Sequence, residues 1–296
     1  MKTLIYAALV VLALIVIPAC KEVGPNINLH GPSSISDTTW VESPAQSPQP
    51  RNVVIEEFTG VQCPNCPAGH IVVDQIVGSY TAGRIVPIAL HPYNALGNPY
   101  SYSVVNLEDS NSTYLMNYLI FPGFEPCGGV DRLVFQGSTT GILTTRQDWQ
   151  GFASTEIALN PLVNLYDSVS FNSTTLQLKI FVTMHFTSTI TDPTNITIGL
   201  TEDSIKTAQL DGTIVDTFYV HNHVLRSIIT GVTGDNVVYN PAANISITPG
   251  RVIRLVYQTT LNSAWNPQNM HVVTFVHDVS GTSLGIYQGT IVNVVN

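Results

Sequence analysis

Between Leu176 and Phe186 every second residue is apolar: Leu176, Leu178, Ile180, Val182, Met184 and Phe186. A period of two puts these side chains on one face of an extended chain, so the stretch predicts a half-buried strand. A helix cannot bury them together, because 3.6 residues per turn would scatter the six around its circumference. Ile196, Ile198 and Leu200 repeat the pattern, and residues 252–261 and 270–279 supply further β segments. Ser280-Gly281-Thr282-Ser283 predicts a hairpin turn before a last strand over residues 284–294. Several short strands separated by turn signals predict an antiparallel, immunoglobulin-like β-sandwich spanning residues 161–296.

Residues 51–160 follow a different pattern. Residues 53–58 form a short β-type run, and residues 68–80 place Ile71, Val72, Ile76 and Val77 on one side of a helix. Residues 85–90 are an unbroken apolar strand, as in a parallel sheet covered on both faces. Strand, helix and strand in this order make a βαβ unit. A polar insertion over residues 92–112 follows, then a helix near Tyr114–Leu119 and a strand over residues 128–135. A helix with apolar positions at Trp149, Phe152, Ile157 and Leu159 closes the segment. The predicted fold class is therefore α/β plus all-β, an N-terminal βαβ domain followed by the sandwich.

The first fifty residues read as an export signal and a tether. Leu4 to Ile17 is an apolar run behind Met1-Lys2, and it ends in Ile17-Pro18-Ala19-Cys20, similar to a bacterial lipobox. The expectation is a signal peptide over residues 1–19 and lipidation at Cys20. Acyl chains contribute about 0.8 kcal/mol per buried CH2, so the membrane is a partner through a firm lipid anchor. Residues 20–50, with Pro44, Pro48, Pro50 and a lone Trp40, lack apolar periodicity and predict an extended tether. A net charge of −9 with 11 Lys and Arg excludes the concentrated basic patch that nucleic-acid binding needs. There is no phosphate loop, dinucleotide fingerprint, nucleophile elbow or H-E-x-x-H helix, and no cofactor is expected.

Chemistry concentrates in Val61-Gln62-Cys63-Pro64-Asn65-Cys66-Pro67-Ala68-Gly69-His70. A C-x-x-C between a strand and a helix exposes its thiols to helix N–H groups and the macrodipole, which stabilise a thiolate. Cys63 is then the attacking thiol and Cys66 the resolving one. Glu57, six residues before Cys63, is placed to take or supply the resolving proton. Gly123-Phe124-Glu125-Pro126 predicts a cis-proline loop beside the pair, with Pro126 as the cis residue. Protein thiols or disulfides would be the substrates. The same spacing also suits a permanent structural disulfide, or a metal site of Cys63, Cys66 and His70 completed by Cys127 or His91. Cys127 is either an additional thiol near the pair or a small buried hydrophobe.

A second unusual stretch is Tyr219-Val220-His221-Asn222-His223-Val224-Leu225-Arg226. On a strand His221 and His223 share a face, an arrangement used by paired metal ligands. The plainer expectation is that these histidines make structural hydrogen bonds and that Arg226 pairs with Glu202 or Asp203. No metal is expected, and His70, His221 and His223 are the candidate ligands otherwise.

Glu56-Glu57-Phe58-Thr59-Gly60 running into Cys63-Pro64-Asn65-Cys66-Pro67-Ala68-Gly69-His70 resembles the signature of Bacteroidetes outer-membrane lipoproteins related to Omp28. The resemblance continues through Pro126 and Gly129-Val130-Asp131-Arg132, and again at Tyr219–Arg226. It implies a thioredoxin-like domain followed by a β-sandwich, on an exported outer-membrane lipoprotein, and Lys21-Glu22 resembles the signals that send such lipoproteins to the cell surface. Asp131, where the family more usually has Asn, and Cys127 depart from the pattern. The resemblance speaks to fold and location more than activity. Thiol–disulfide exchange and non-enzymatic binding or adhesion therefore stand side by side as functional expectations.

Overall fold

In the computed structural model, which describes residues 34–238, 246–281 and 283–295, most strands join one of two sheets. The expected signal peptide and Cys20 lie outside the described residues. The smaller sheet has four strands in the order β1 (Ser34–Val41), β14 (Arg251–Thr260), β6 (Gln177–Phe186) and β5 (Val163–Asn172), all antiparallel. The alternation that opens at Leu176 becomes β6, whose even-numbered side chains from Leu178 to Phe186 are fully buried.

The larger sheet runs β16 (Ile286–Asn293), β15 (Met270–Asp278), β7 (Thr194–Glu202), β12 (Val224–Ile228), β3 (Ile85–Leu90), β2 (Val53–Phe58) and β4 (Cys127–Val130), with β13 (Asp235–Asn236) paired to β7. Its β7–β15–β16 end faces the smaller sheet across a core that includes Ile180, Val182, Met184, Ile198, Leu200, Leu255 and Val272. That packing is the β-sandwich. At the other end, β2 and β3 are parallel and β4 is antiparallel to β2. Helices α1 (Cys66–Gly78) and α3 (Arg146–Glu156) cover one face there through Val73, Ile76, Trp149 and Ala153. Helix α2 (Ser110–Tyr118) covers the other through Leu115 and Met116. With both faces covered, β2 and β3 are buried at every position, which is why their sequence shows continuous runs and no alternation. Among the described residues no helix is long and apolar enough to cross a membrane.

Three findings differ from the sequence expectations. The larger sheet crosses the expected boundary at residues 160–161, because β12 pairs parallel with β3 and antiparallel with β7. The tether assigned to residues 20–50 is folded from residue 34 onward. Strand β1 joins β14 by a backbone ladder at a sheet edge, where no apolar periodicity is needed and Trp40 remains partly exposed. Gln49 N–H then donates to Asn164 Oδ1 at 2.7 Å, and His185 bonds both Glu42 and Gln46. The strand expected over residues 128–135 ends at Val130, since Asp131 and Arg132 both adopt the left-handed conformation.

That bend aims two charged side chains back into the sheet. Arg132 donates from Nε and Nη2 to the two Glu56 oxygens, each at 2.7 Å, with its guanidinium 4.9 Å from the Phe275 ring centre. Asp131 accepts from Val54 N–H and from Arg51, which also pairs with Glu156. The Gly-Val-Asp-Arg block is thus a buried ionic anchor joining β4, β2 and β15.

Candidate functional site

Strand β2 carries adjacent acids to opposite faces of the sheet. Glu56 goes to Arg132, whereas Glu57 goes to the α1 side and has no such partner. Its Oε1 is buried without a hydrogen bond, lying against Gly69 of α1 and close to Pro126. A side chain at Gly69 would run into that carboxylate, so glycine leaves the space in which Glu57 sits. Burial drives the Glu57 pKa well above the ordinary carboxylate value, despite the opposing pull of His223.

Beyond the strand, Cys63 and Cys66 form a disulfide with a Cα–Cα distance of 5.4 Å. The chain turns through Cys63 N–H to Gly60 O and Cys66 N–H to Cys63 O, and α1 starts at Cys66 with Pro67 in its first turn. Pro64 and Asn65 are exposed, yet the two cysteines are only 1% and 0% exposed. The two-stranded hairpin β9 (Gln209–Asp211) and β10 (Ile214–Asp216) is bonded across the turn that carries them. Gln209 Nε2 donates to the Gly60 and Cys63 carbonyls, Leu210 N–H to Val61 O, and Gly212 N–H to Pro64 O.

The Glu125–Pro126 peptide is cis, and a Glu125 carboxylate oxygen lies within 4.8 Å of both cysteine sulfurs. Glu125 accepts from Asn94 Nδ2 at 2.6 Å, and burial raises its pKa. A second acid beside the disulfide is therefore also held toward its neutral form. Sequence reading missed Glu125 as a chemical group because the eye goes to the proline that follows it. Cys63, Cys66 and Glu125 approach a metal-ligand set, but sulfurs joined to each other are not thiolate ligands. Cys127 is free, fully buried in the apolar core under α2, and its thiol pKa is pushed up by burial. That places it as a compact hydrophobe.

The histidines divide differently from expectation. His221 closes the short strand β11 (Val220–His221), which pairs with β8 (Ile205–Lys206), but His223 has a φ of 59° and turns away. The two do not share a strand face. His223 lies 3.2 Å from Asp203 and 3.7 Å from Asp74, and Asp203 also accepts its N–H. His70 bonds Thr59 Oγ1 and Tyr219 Oη, each at 2.8 Å. His91 and His221 are buried beside it. Arg226 pairs with Glu202 at 3.3 Å, one of the two expected partners.

His223 supplies a pH prediction. Burial lowers its pKa, but Asp203 and Asp74 outweigh burial and raise it to about 9. In the unfolded chain it titrates near ~6.5. The stability it contributes is therefore fully present below about pH 6.5 and lost as pH rises through about 9. Chemical denaturation of wild type and His223→Gln across this range is expected to show a gap that closes at the alkaline end. A gap constant from pH 6 to 10 would contradict the pairing.

A cavity of about 40 Å³ opens between α1 and the Tyr219–His223 segment, bordered by Glu57, His70, Asp74, Tyr219 and His223. Its lining gives buried Glu57 a polar path toward solvent.

Comparison with known proteins follows this architecture. The family model described as "Outer membrane protein Omp28" matches residues 123–295, from the cis-proline loop through the last strand, and so begins after Cys63 and Cys66. Among solved structures, HBP35 of Porphyromonas gingivalis aligns with a TM-score of 0.62 at 16% identity, covering 84% of this chain and 76% of that one. At that identity the likeness concerns the fold. No curated protein sequence matches the chain.

Proposed function

The chain belongs to the Omp28 family of outer membrane proteins, and on that premise we propose an exported lipoprotein that performs thiol–disulfide exchange. In this reading Cys20 carries the lipid anchor, and Cys63 and Cys66 act in a thioredoxin-like half. The order β3–β2–β4, with β4 antiparallel and helices on both faces, supports the thioredoxin-like assignment.

One observation carries the activity: Glu57 is a buried carboxylic acid with an unpartnered oxygen behind the C-x-x-C turn. Burying a polar group without a partner costs about 1–3 kcal/mol, and such groups cluster where chemistry needs them. A staple alone gives little reason for it. Closing so short a loop contributes only about 2 kcal/mol in the chain-entropy account. In exchange, a substrate thiolate attacks Cys63 Sγ, the S–S bond breaks, and Cys66 leaves as a thiolate that takes a proton from a neutral acid. A second substrate thiolate then attacks the mixed disulfide. The substrate leaves as a disulfide with Cys63 expelled as a thiolate, and the pair holds two electrons as the Cys63 thiolate and the Cys66 thiol. The hairpin over residues 209–216 has to part for this, which restricts the reaction to partners that engage it.

A second reading rests on the burial of both sulfurs in the turn bonded by that hairpin. In it the protein is a non-enzymatic binding or adhesion lipoprotein, with the sandwich as recognition surface and the disulfide as support. Cys66→Ser separates the two, because it frees Cys63 as a single thiol. Exchange predicts a mixed disulfide on Cys63 within minutes of adding a small aromatic disulfide. A Cys63 as inert as buried Cys127 would favour the binding reading.

A further inference from the structure

His221 lies beside two other imidazoles, His70 and His91, and of the three only His70 makes well-formed side-chain hydrogen bonds. His70 lies one helical turn after Cys66, His91 directly follows β3, and His221 ends β11. The centre of the His221 ring is 6.2 Å from that of His70 and 5.9 Å from that of His91. His91 and His221 are each 2% exposed, and neither nitrogen of either ring has a hydrogen-bond partner. A neutral imidazole carries one N–H donor and one bare acceptor, and leaving such groups unpaired in the core forfeits their hydration with nothing in return. Two such rings side by side are an expensive way to fill a core that phenylalanine would fill as well.

The surroundings suit ligands better than packing. The Ala89 and Thr207 backbones lie within hydrogen-bonding reach of His91 and His221, respectively, outside well-formed geometry, and favour the charged forms against burial. Carbonyls in that position orient metal-bound histidines by taking the proton of the other ring nitrogen. His70 has the equivalent support from Tyr219 Oη on Nδ1. Burial holds all three rings neutral, with His70 at about 4 and His221 at about 3, and neutral imidazole is the form that binds metal.

We propose that His70, His91 and His221 bind a late first-row transition-metal ion, for which Zn2+ is the probe. Three imidazoles without a carboxylate suit zinc, copper or nickel and disfavour calcium or magnesium. Zn–N bonds of about 2.0–2.1 Å in tetrahedral geometry set ring centres roughly 5 Å apart, so His221 and each of its two neighbours close by about 1 Å. His91 and His221 hold no hydrogen bonds that resist this, and His70 releases Thr59 while keeping Tyr219. His223 is excluded by its commitment to Asp74 and Asp203. The cavity bordered by His70 and Tyr219 supplies an entry route. The site involves neither sulfur, so it does not depend on the exchange reading.

The test is zinc titration of the full-length protein in detergent, stripped by chelator and with its disulfide intact. One ion per chain is expected, and His91→Phe and His221→Phe are each expected to weaken binding by more than about 100-fold, since even an outer-shell partner is worth ~10–100-fold. His271→Ala, at the start of β15 and paired with Asp203 and Asn293, should leave it unchanged. No stoichiometric binding by wild type, or equal binding by both phenylalanine variants, overturns the proposal. X-ray absorption on zinc-loaded wild type decides without any variant. Imidazole scattering with nitrogen near 2.0–2.1 Å supports the site, and a sulfur shell near ~2.3 Å overturns it.

Discussion

Replacing Arg132 by methionine is expected to destabilise the protein by about 3–5 kcal/mol, measured by urea denaturation. The guanidinium is fully buried and holds both oxygens of Glu56, itself 2% exposed. The loss comes from the carboxylate left behind, whose desolvation nothing then offsets. The pair itself has little net worth, because desolvation of two ions consumes most of its Coulombic gain. The double variant Glu56→Leu with Arg132→Met should therefore recover most of the stability. A single variant within about 1 kcal/mol of wild type would contradict the anchoring role of the Arg132–Glu56 pair. Arg132 also lies over Phe275 of β15, so the weakened contact joins the helix-covered and sandwich ends of one sheet.

Glu57→Gln should act in the opposite way, leaving the fold and slowing the chemistry. Burial already keeps Glu57 toward its neutral form, so a neutral isostere changes little of its packing. A positioned acid or base contributes about 10²–10⁴-fold to proton-coupled steps. Reduction of the Cys63–Cys66 disulfide by a small dithiol should slow by at least about 10²-fold in the variant, and its pH profile should lose one inflection. Urea denaturation should stay within about 1 kcal/mol of wild type. Equal rates for the two proteins would leave Glu57 as a packing residue.

The sequence made local pattern legible and left long-range pairing hidden. Strands β2 and β3 run over residues 53–58 and 85–90 as expected, because continuous apolar runs with turn signals on both sides define their own ends. The alternating residues of β6 and β7 were equally plain, and β14 and β15 fall on the β segments expected over residues 252–261 and 270–279. Strand β1 escaped because its hydrogen bonds at a sheet edge require no apolar side chains. The β12–β3 pairing escaped because its strands are far apart in the sequence and register leaves no local trace. The site divides along the same line. Cys63, Cys66 and Glu57 are close in sequence, and their strand–turn–helix placement was visible. The hairpin over residues 209–216, the proximity of Glu125 to the sulfurs and the approach of His91 to His221 are tertiary facts. His223 misled for a local reason, a left-handed residue that breaks the strand period its spacing suggests.

The proposed exchange requires that the Cys63–Cys66 bond open and close in the folded protein. Equilibrating native protein with defined thiol–disulfide buffers, then trapping free thiols for mass spectrometry, measures this directly. Exchange predicts a single two-electron transition above about −300 mV, within the range of thiol–disulfide oxidoreductases. A bond that stays closed at potentials far below about −300 mV is a structural staple, and that result would contradict the redox function proposed for this chain.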